Sequence, residues 1–186
     1  MSDNDLWLRK YSQKVLTEVG LKNGQTVLDF GCRIGNYTIP AAMIVGHAGN
    51  VYALDKNQES LNELMQRSKS HGLENIERID ATDEVKIPLP DESVDVVLLY
   101  DVIHLVNNRK KLFYEVCRIA KQNALISVLP KHFRKEMHMN LEHVKNETGK
   151  TFSFEKKIFR RIDHDDKLQK GHILNYRKKQ NDCHAT

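Results

Sequence analysis

Cysteine is scarce in this chain, and the three cysteines that occur, Cys32, Cys117 and Cys183, include no C-x-x-C pair. Their odd number and their spacing argue against a disulfide framework and against a zinc site, and they fit a reducing compartment. The first ten residues, MSDNDLWLRK, also lack a positively charged segment followed by an apolar run, so we expect no signal peptide. These absences predict a cytoplasmic protein.

A long apolar segment suited to a membrane is missing as well. The stretch 34–54 contains no Asp, Glu, Lys or Arg, but Gly, Asn, Pro and His interrupt it repeatedly. A transmembrane helix needs about 20 consecutive, predominantly apolar residues. The stretch therefore predicts a helix, a loop and a strand, and no membrane span.

The composition that remains is typical of a globular protein, with 186 residues, 40% apolar and 29% charged. This length predicts a single domain, 1–186, with an amino-terminal helix at about 5–20 and a core at about 22–178. Residues 1–130 hold 15 basic and 17 acidic side chains, whereas residues 131–186 hold 14 basic and 8 acidic ones. The basic surplus is typical of a solvated surface and also of a polyanion-binding face. Nothing in the sequence indicates the oligomeric state.

The dinucleotide-binding fingerprint G-x-G-x-x-G is absent at the place where a strand, a glycine turn and a helix follow one another. That place is TVLDFGCRIG, residues 26–35, where Arg33 and Asn36 occupy positions that the fingerprint reserves for glycine. Asp29, near the strand end, would repel a pyrophosphate and attract a cofactor that carries an ammonium group. The segment therefore favours a nucleoside cofactor without phosphate over a dinucleotide.

VLDFGCRIG resembles the first motif of the class I S-adenosylmethionine-dependent methyltransferases, VLDxGCGxG. Three further segments resemble the ubiquinone/menaquinone-type (methyltransferase type 11) subfamily: VYALDKN at 51–57, the pair Asp80-Ala81, and IPLPDESVD at 87–95. The resemblance covers roughly residues 5–178. It implies an α/β fold with a doubly wound, mostly parallel seven-stranded sheet and a carboxyl-terminal antiparallel hairpin.

The resemblance also implies S-adenosylmethionine as the cofactor and S-adenosylhomocysteine as the product. The glycine turn with Asp29 would hold the methionine end, and Asp55 would bind the ribose hydroxyls. Asp55 could equally cap the following helix. The carboxylate of Asp80 would accept from the adenine amine. The cofactor-binding residues implied in this way are Asp29, Gly31, Cys32, Arg33, Gly35, Asp55, Lys56, Asp80, Ala81 and Tyr100.

The segment after the apolar strand 94–100 contains the nearest candidates for a general base, Asp101 and His104. A histidine has a suitable pKa near neutrality, but many enzymes of this type rely on proximity alone. His104 could therefore simply shape the acceptor site. Tyr11, on the amino-terminal helix, could close over the methionine end or merely pack. The acceptor is most simply a small molecule.

Periodicity and turn signals give the remaining elements. We expect a polar helix within 131–149, and read His132, His138 and His143 there as surface residues because their spacing does not suit a metal. The predicted hairpin pairs 152–162 with 172–178, separated by the run 163–166 and Gly171. The other predicted helices are 5–19, 37–45, 58–71 and 109–120, and the predicted strands are 26–30, 50–54, 75–79, 94–100 and 124–129.

Two alternatives to a small-molecule methyltransferase stay open. The basic carboxyl-terminal third could serve an RNA or protein methyltransferase, although YDVIH at 100–104 is not the N/D-P-P-Y type and no Pro-Cys pair is present. Arg33 replaces a glycine of the family motif, where the backbone approaches the cofactor without a Cβ. It could pair with the cofactor carboxylate, or crowd the site and leave a non-catalytic binding module.

Overall fold

The centre of the protein is one sheet of seven strands. The computed structural model describes residues 2–82, 84–130, 148–149 and 151–179. The strands lie in the order β3-β2-β1-β4-β5-β7-β6. Neighbours from β3 to β5 are parallel, whereas β7 is antiparallel to both β5 and β6. The predicted mostly parallel sheet with a terminal hairpin is confirmed. The strands are β1 (Thr26–Phe30), β2 (Asn50–Asp55), β3 (Ile76–Asp80), β4 (Val94–Tyr100), β5 (Ala120–Leu129), β6 (Phe152–His164) and β7 (Lys167–Lys178).

Helices cover both faces of the sheet because the central strands are apolar on both sides. In β1, Val27 joins the core beneath α2 (Ser12–Val19), α3 (Thr38–Val45) and α4 (Gln58–Ser70). Its neighbour Leu28 joins the opposite core, which contains the apolar side of α5 (Arg109–Ile119). The carboxyl ends of the parallel strands are thereby left at one open edge of the sheet.

The amino-terminal helix begins earlier than predicted and is not regular. Ser2 forms a capping box with Asp5, its hydroxyl accepting from the Asp5 amide at 3.1 Å, so α1 (Asp3–Leu6) starts at Asp3 instead of Asp5. A π-helical stretch, Trp7–Tyr11, joins α1 to α2. This irregularity turns Trp7 fully into the core. Tyr11 packs at the edge of that core and accepts a hydrogen bond from Arg161 at 2.8 Å.

The carboxyl-terminal hairpin is longer than predicted. Asp165 and Asp166 both adopt positive φ, 50° and 56°, and this two-residue turn needs no further residues. β6 therefore continues through Asp163 and His164, which the sequence had assigned to the loop. Gly171, also predicted as a break, lies inside β7 opposite Arg160. The consequence is that β6 reaches the open edge of the sheet.

Smaller differences concern boundaries, cysteines and the region after β5. β5 begins at Ala120 instead of 124, because α5 already ends at Ile119. Although the sequence argues against a disulfide framework, Cys117 is disulfide-bonded, while Cys32 is free and buried. The predicted helix within 131–149 and its three histidines lie outside the described residues, apart from 148–149.

Among the helices described, none has the length and apolar character to cross a membrane.

Candidate active site

A cavity of about 1010 Å³ opens at the carboxyl ends of β1, β2 and β4. This edge of a parallel sheet is where ligands bind in open α/β folds. The cavity wall also includes residues that follow β3 and the end of β6. Of the predicted cofactor residues, the cavity is lined by Asp29, Gly31, Cys32, Arg33, Asp55, Lys56, Ala81 and Tyr100.

Asp29 places a buried carboxylate at the floor of the cavity. It is the fourth residue of β1, and its Oδ2 accepts a hydrogen bond from the Thr38 hydroxyl at 2.6 Å. Burial raises the pKa of Asp29 to about 7, and the nearby charge of Asp55 acts in the same direction. A cation bound beside it would offset the cost of ionising this group.

Gly31 carries the chain from β1 across the end of β2. Its amide donates to the Leu54 carbonyl at 2.7 Å, and its φ is 78°. A Cβ at this position would come within 2.5 Å of Val102 Cγ2. Glycine is therefore required by the turn and by the packing of the segment after β4.

Asp55 is the last residue of β2, and its carboxylate accepts hydrogen bonds from the loops that follow β1 and β2. Its Oδ2 accepts from the Arg33 amide at 2.8 Å, and its Oδ1 accepts from the Asn57 amide at 2.9 Å. The helix cap is Asn57, whose side chain accepts from Ser60, so the alternative role of Asp55 as the cap of α4 is wrong. Each Asp55 oxygen keeps a lone pair for a hydroxyl on the cavity side.

Arg33 occupies the position where the family motif has glycine, and it differs from glycine in both backbone and side chain. Its φ is 51°, in the left-handed region that glycine adopts without strain. The guanidinium extends across the cavity rim to Asp165 on the hairpin turn, with an Nη1–Oδ1 distance of 3.2 Å. The side chain is 61% exposed, and it therefore lies at the rim and not in the buried interior.

Two predicted cofactor residues lie outside the cavity wall. A Cβ on Gly35, whose φ is 85°, would come within 2.1 Å of Leu64 Cδ1, so this glycine allows α4 to pack closely. The carboxylate of Asp80 is exposed and accepts from Arg78 Nε at 2.8 Å. These hydrogen bonds from Arg78 hold the pKa of Asp80 below its usual value.

Asp101 follows β4 with a φ of 53°, and its amide donates to the Leu129 carbonyl at 2.8 Å. His164 Nε2 lies 3.0 Å from its Oδ2, and His104 Nδ1 lies 3.7 Å from its Oδ1. Asp101 and His164 line the cavity, whereas His104 does not. Asp101 thus lies between two imidazoles, and of these His164 faces the ligand space.

The hairpin end supplies a second group that the sequence did not single out. Asn36 donates from Nδ2 to Asp163 Oδ2 at 2.8 Å and to Asp166 Oδ1 at 3.0 Å. The Tyr37 hydroxyl donates to the Asp163 carbonyl at 2.7 Å. Asp163, His164 and Asp165 all line the cavity. The sequence offered one signal for these residues, the run Asp-His-Asp-Asp at the end of β6. A strand that runs parallel to β5 ends at the edge of the sheet where ligands bind.

Among the described residues, no group of three or more His, Cys, Asp or Glu side chains has an arrangement that could hold a metal ion.

Comparison with known sequences identifies the domain. The family model described as "Methyltransferase domain" matches residues 21–180. A demethylmenaquinone methyltransferase from Lactobacillus johnsonii is 28% identical over 123 residues, which are 66% of this chain and 49% of that protein. A ubiquinone/menaquinone biosynthesis C-methyltransferase from Vibrio campbellii is 30% identical over 111 residues, 59% of this chain and 42% of that protein. The chain thus spans about half the length of the curated relatives that it matches.

Solved structures share the fold. A SAM-dependent methyltransferase from Aquifex aeolicus superposes with a TM-score of 0.79 at 26% identity, covering 95% of this chain and 93% of that one. The [4+2]-cyclase SpnF superposes with a TM-score of 0.72 at 13% identity, covering 89% of this chain and 80% of that one. The second likeness concerns the fold alone.

Proposed function

The chain belongs to the methyltransferase domain family, as a class I S-adenosylmethionine-dependent methyltransferase of the ubiquinone/menaquinone type, and from this premise we propose that it transfers a methyl group to a small-molecule acceptor. The observation that carries the proposal is the pair of carboxylates, Asp29 and Asp55, at the ends of adjacent strands in one cavity. Their chemistry suits a cofactor with a cationic amino-acid end and a ribose.

The groups at this edge fit S-adenosylmethionine by their chemistry. Asp29 would hold the methionine end, and the Asp55 oxygens would accept from the ribose hydroxyls. Lys56 and Ala81 would border the adenine, and the Tyr100 carbonyl would accept from the ammonium group. For Asp80 the support is weaker, because its carboxylate is already engaged by Arg78 outside the cavity wall.

When bound, S-adenosylmethionine supplies a methyl group on a positively charged sulfur, which keeps the bonding electron pair as the methyl leaves. Alignment of the acceptor and exclusion of water are then the main tasks of the chain. The apolar residues Val102 and Val106 lie in the same wall as Asp101. A weakly polar wall favours the loss of charge in the transition state.

Asp101 is the group best placed to take a proton from the acceptor. Its Oδ2 is held by His164, and its Oδ1 is the oxygen nearer His104, at 3.7 Å. Gln169 Nε2 lies 3.3 Å from the other His164 nitrogen, Nδ1, and a donation there leaves Nε2–H to donate to Asp101. In this arrangement Asp101 is the base and His164 positions it.

The acceptor class that we propose is a hydroxylated aromatic ring. Leu105, 68% exposed at the cavity wall, together with Val102 and Val106 offers an apolar contact for such a ring beside the proton acceptor. The names of two curated relatives, a demethylmenaquinone methyltransferase and a ubiquinone/menaquinone biosynthesis C-methyltransferase, support the same class. Methylation of such a ring releases a proton, which gives Asp101 its role.

The alternatives receive less support from the described residues. Arg160 pairs with Glu18 at 2.7 Å, and Arg177 pairs with Glu155 at 3.0 Å, so part of the basic surplus serves internal ion pairs. Arg33, the basis of a non-catalytic binding module, extends to Asp165 at the rim. A working methyltransferase therefore has the stronger support.

Transfer of a labelled methyl group to a short-chain reduced demethylmenaquinone tests the proposal. We expect the wild-type protein to methylate this quinol. Asp101→Asn should lower kcat by about 100-fold or more, because general-base catalysis contributes on this scale, while KM changes little. Asp91→Asn is the control, since Asp91 is an exposed carboxylate that is paired with Arg118 and does not line the cavity.

Two results would count against the proposal. Absence of transfer by the wild type would reject the quinol class of acceptor. Equal rates for wild type and Asp101→Asn would reject Asp101 as the base and leave alignment alone to account for the rate.

A further inference from the structure

Asp163 has an unusual carboxylate, buried in the wall of the cavity. The residue is only 5% exposed, and its Oδ2 accepts from Asn36 Nδ2 at 2.8 Å. Its Oδ1 is also buried, yet it has no hydrogen-bond partner among the described residues. An unsatisfied buried acceptor costs free energy, and a buried carboxylate costs more. Such a group calls for a partner that is not part of this chain.

No arginine or lysine of the described residues makes a salt bridge with Asp163. Arg33 is engaged by Asp165, and Arg67 donates to the Ile34 carbonyl at 2.6 Å and to Asn36 Oδ1 at 2.9 Å. The neighbouring Asp166 shares the Asn36 amide and adds a second negative charge. Burial raises the pKa of Asp163 above its ordinary value and the charge of Asp166 raises it further, whereas the hydrogen bond from Asn36 and the charges of Arg33 and Arg67 lower it. Among the described residues, Asp163 therefore has no cationic side chain in direct contact.

The wall of the cavity that contains Asp163 also contains a second buried carboxylate and two aromatic rings. The Tyr37 hydroxyl donates to the Asp163 carbonyl at 2.7 Å, and the Tyr37 residue lines the same cavity as Asp163 and Asp29. The rings of Tyr37 and Tyr100 meet edge to face at 4.7 Å. All four residues line the cavity. Two carboxylates beside aromatic rings form a site suited to an ammonium group.

We propose that the carboxylate of Asp163 binds the α-ammonium group of the cofactor's methionine end, together with Asp29. The proposal rests on the proposed function, because it takes S-adenosylmethionine as the ligand. It adds a cofactor contact from the β6–β7 hairpin, far in sequence from the glycine turn. S-adenosylhomocysteine carries the same ammonium group, so the contact serves the product as well.

The contact gives the hairpin a role in cofactor specificity. A ligand with an intact amino-acid end would join the loop after β1 to the end of β6 through Asp29 and Asp163. A ligand without the amino group would leave Asp163 Oδ1 unsatisfied. The site should therefore discriminate against deaminated analogues by the cost of that unpaired oxygen.

Calorimetric titration with two ligands tests this contact. The ligands are S-adenosylhomocysteine and its deamino analogue, S-adenosyl-4-thiobutanoate. We expect the wild type to bind the first at least about tenfold more tightly, in line with a hydrogen bond to a charged group. Asp163→Asn should weaken S-adenosylhomocysteine by the same factor and leave the analogue within about twofold. Asp166→Asn is the matched control, since Asp166 shares the Asn36 amide but does not line the cavity, and it should affect neither ligand.

Every other outcome counts against the Asp163 contact or against the proposed function. Equal wild-type affinity for the two ligands would overturn the contact without any variant, even if Asp163→Asn failed to fold. A loss for both ligands in Asp163→Asn, or an equal loss in Asp166→Asn, would show a structural or general electrostatic role instead. No binding of S-adenosylhomocysteine by the wild type would overturn the proposed function itself, whereas binding that is insensitive to Asp163 would overturn only the contact.

Discussion

Asp29 lies in the proposed cofactor site, and the burial of its carboxylate lowers the stability of the folded protein when the group is ionised. Its pKa is about 7 in the folded protein, above its usual value of 3.8. The folded state therefore holds a proton that the unfolded state releases between these values, and stability is fully present below pH 3.8 and declines as the pH rises to about 7. A carboxylate kept at this cost is consistent with a cationic ligand.

Asp29→Asn should remove this decline. The amide can still accept from Thr38, so we expect the variant to be more stable than the wild type at pH 8 by about 4 kcal/mol, and nearly equal at pH 4. Denaturant unfolding at both pH values measures this difference. In the wild type, affinity for S-adenosylhomocysteine should rise about tenfold from pH 6 to pH 8 as Asp29 ionises, and Asp29→Asn should not show this rise. A variant less stable than the wild type at pH 8 would contradict the account.

Residues near the carboxyl ends of the first two strands could be predicted, because local sequence order fixes them there. Asp29 and Asp55 lie in the cavity wall as the motif implied. Asp163 and His164 could not be predicted with equal ease, because the register of a distant hairpin places them. The same limit explains why His104 was a candidate and His164 was not: sequence proximity to Asp101 does not determine which imidazole faces the cavity.

At the scale of elements, Asn36 joins three parts of the fold. Its side chain donates to Asp163 and Asp166 on the hairpin and accepts from Arg67 on α4. Its carbonyl accepts from Trp7 Nε1 at 2.8 Å. The cavity wall therefore depends on how the loop after β1 holds the hairpin end.

Asn36→Ala should loosen that end of the hairpin. Removing the amide takes one hydrogen bond each from two carboxylates and from the Arg67 guanidinium, which keeps the Ile34 carbonyl, at a cost of about 1–3 kcal/mol. We expect faster hydrogen exchange at the amides of 163–168 than in the wild type, with the central strands unchanged. Asn50→Ala is the control, because it removes only an exposed hydrogen bond to Glu77. Uniformly faster exchange across the sheet would contradict this local role.

Element positions followed from apolar runs and turn signals, but some boundaries depended on tertiary structure. The buried run of β4 was predicted with its exact bounds, because both of its faces are apolar. The hairpin was predicted too short, because a turn made by two aspartates with positive φ is not recognisable without the partner strand. The π-helical stretch before α2 had no sequence signal.

For the whole molecule, the strand order and the family match give the same account. The order β3-β2-β1-β4-β5-β7-β6 puts β1, β2 and β4 side by side, so the loops that follow them share one cavity. The fold itself does not specify the reaction, since a cyclase shares it. The functional conclusion therefore depends on the groups in the cavity.

The most direct test of the central claim is calorimetric titration with S-adenosylhomocysteine, on the wild type, Asp55→Ala and Asp95→Ala. Asp95 is the matched control, because it also accepts from a backbone amide, that of Thr26 at 2.8 Å, but at the opposite edge of the sheet. We predict micromolar binding by the wild type and by Asp95→Ala, and a loss of about tenfold or more in Asp55→Ala. Absence of binding by the wild type, or equal binding by all three proteins, would contradict the assignment of this cavity as the cofactor site.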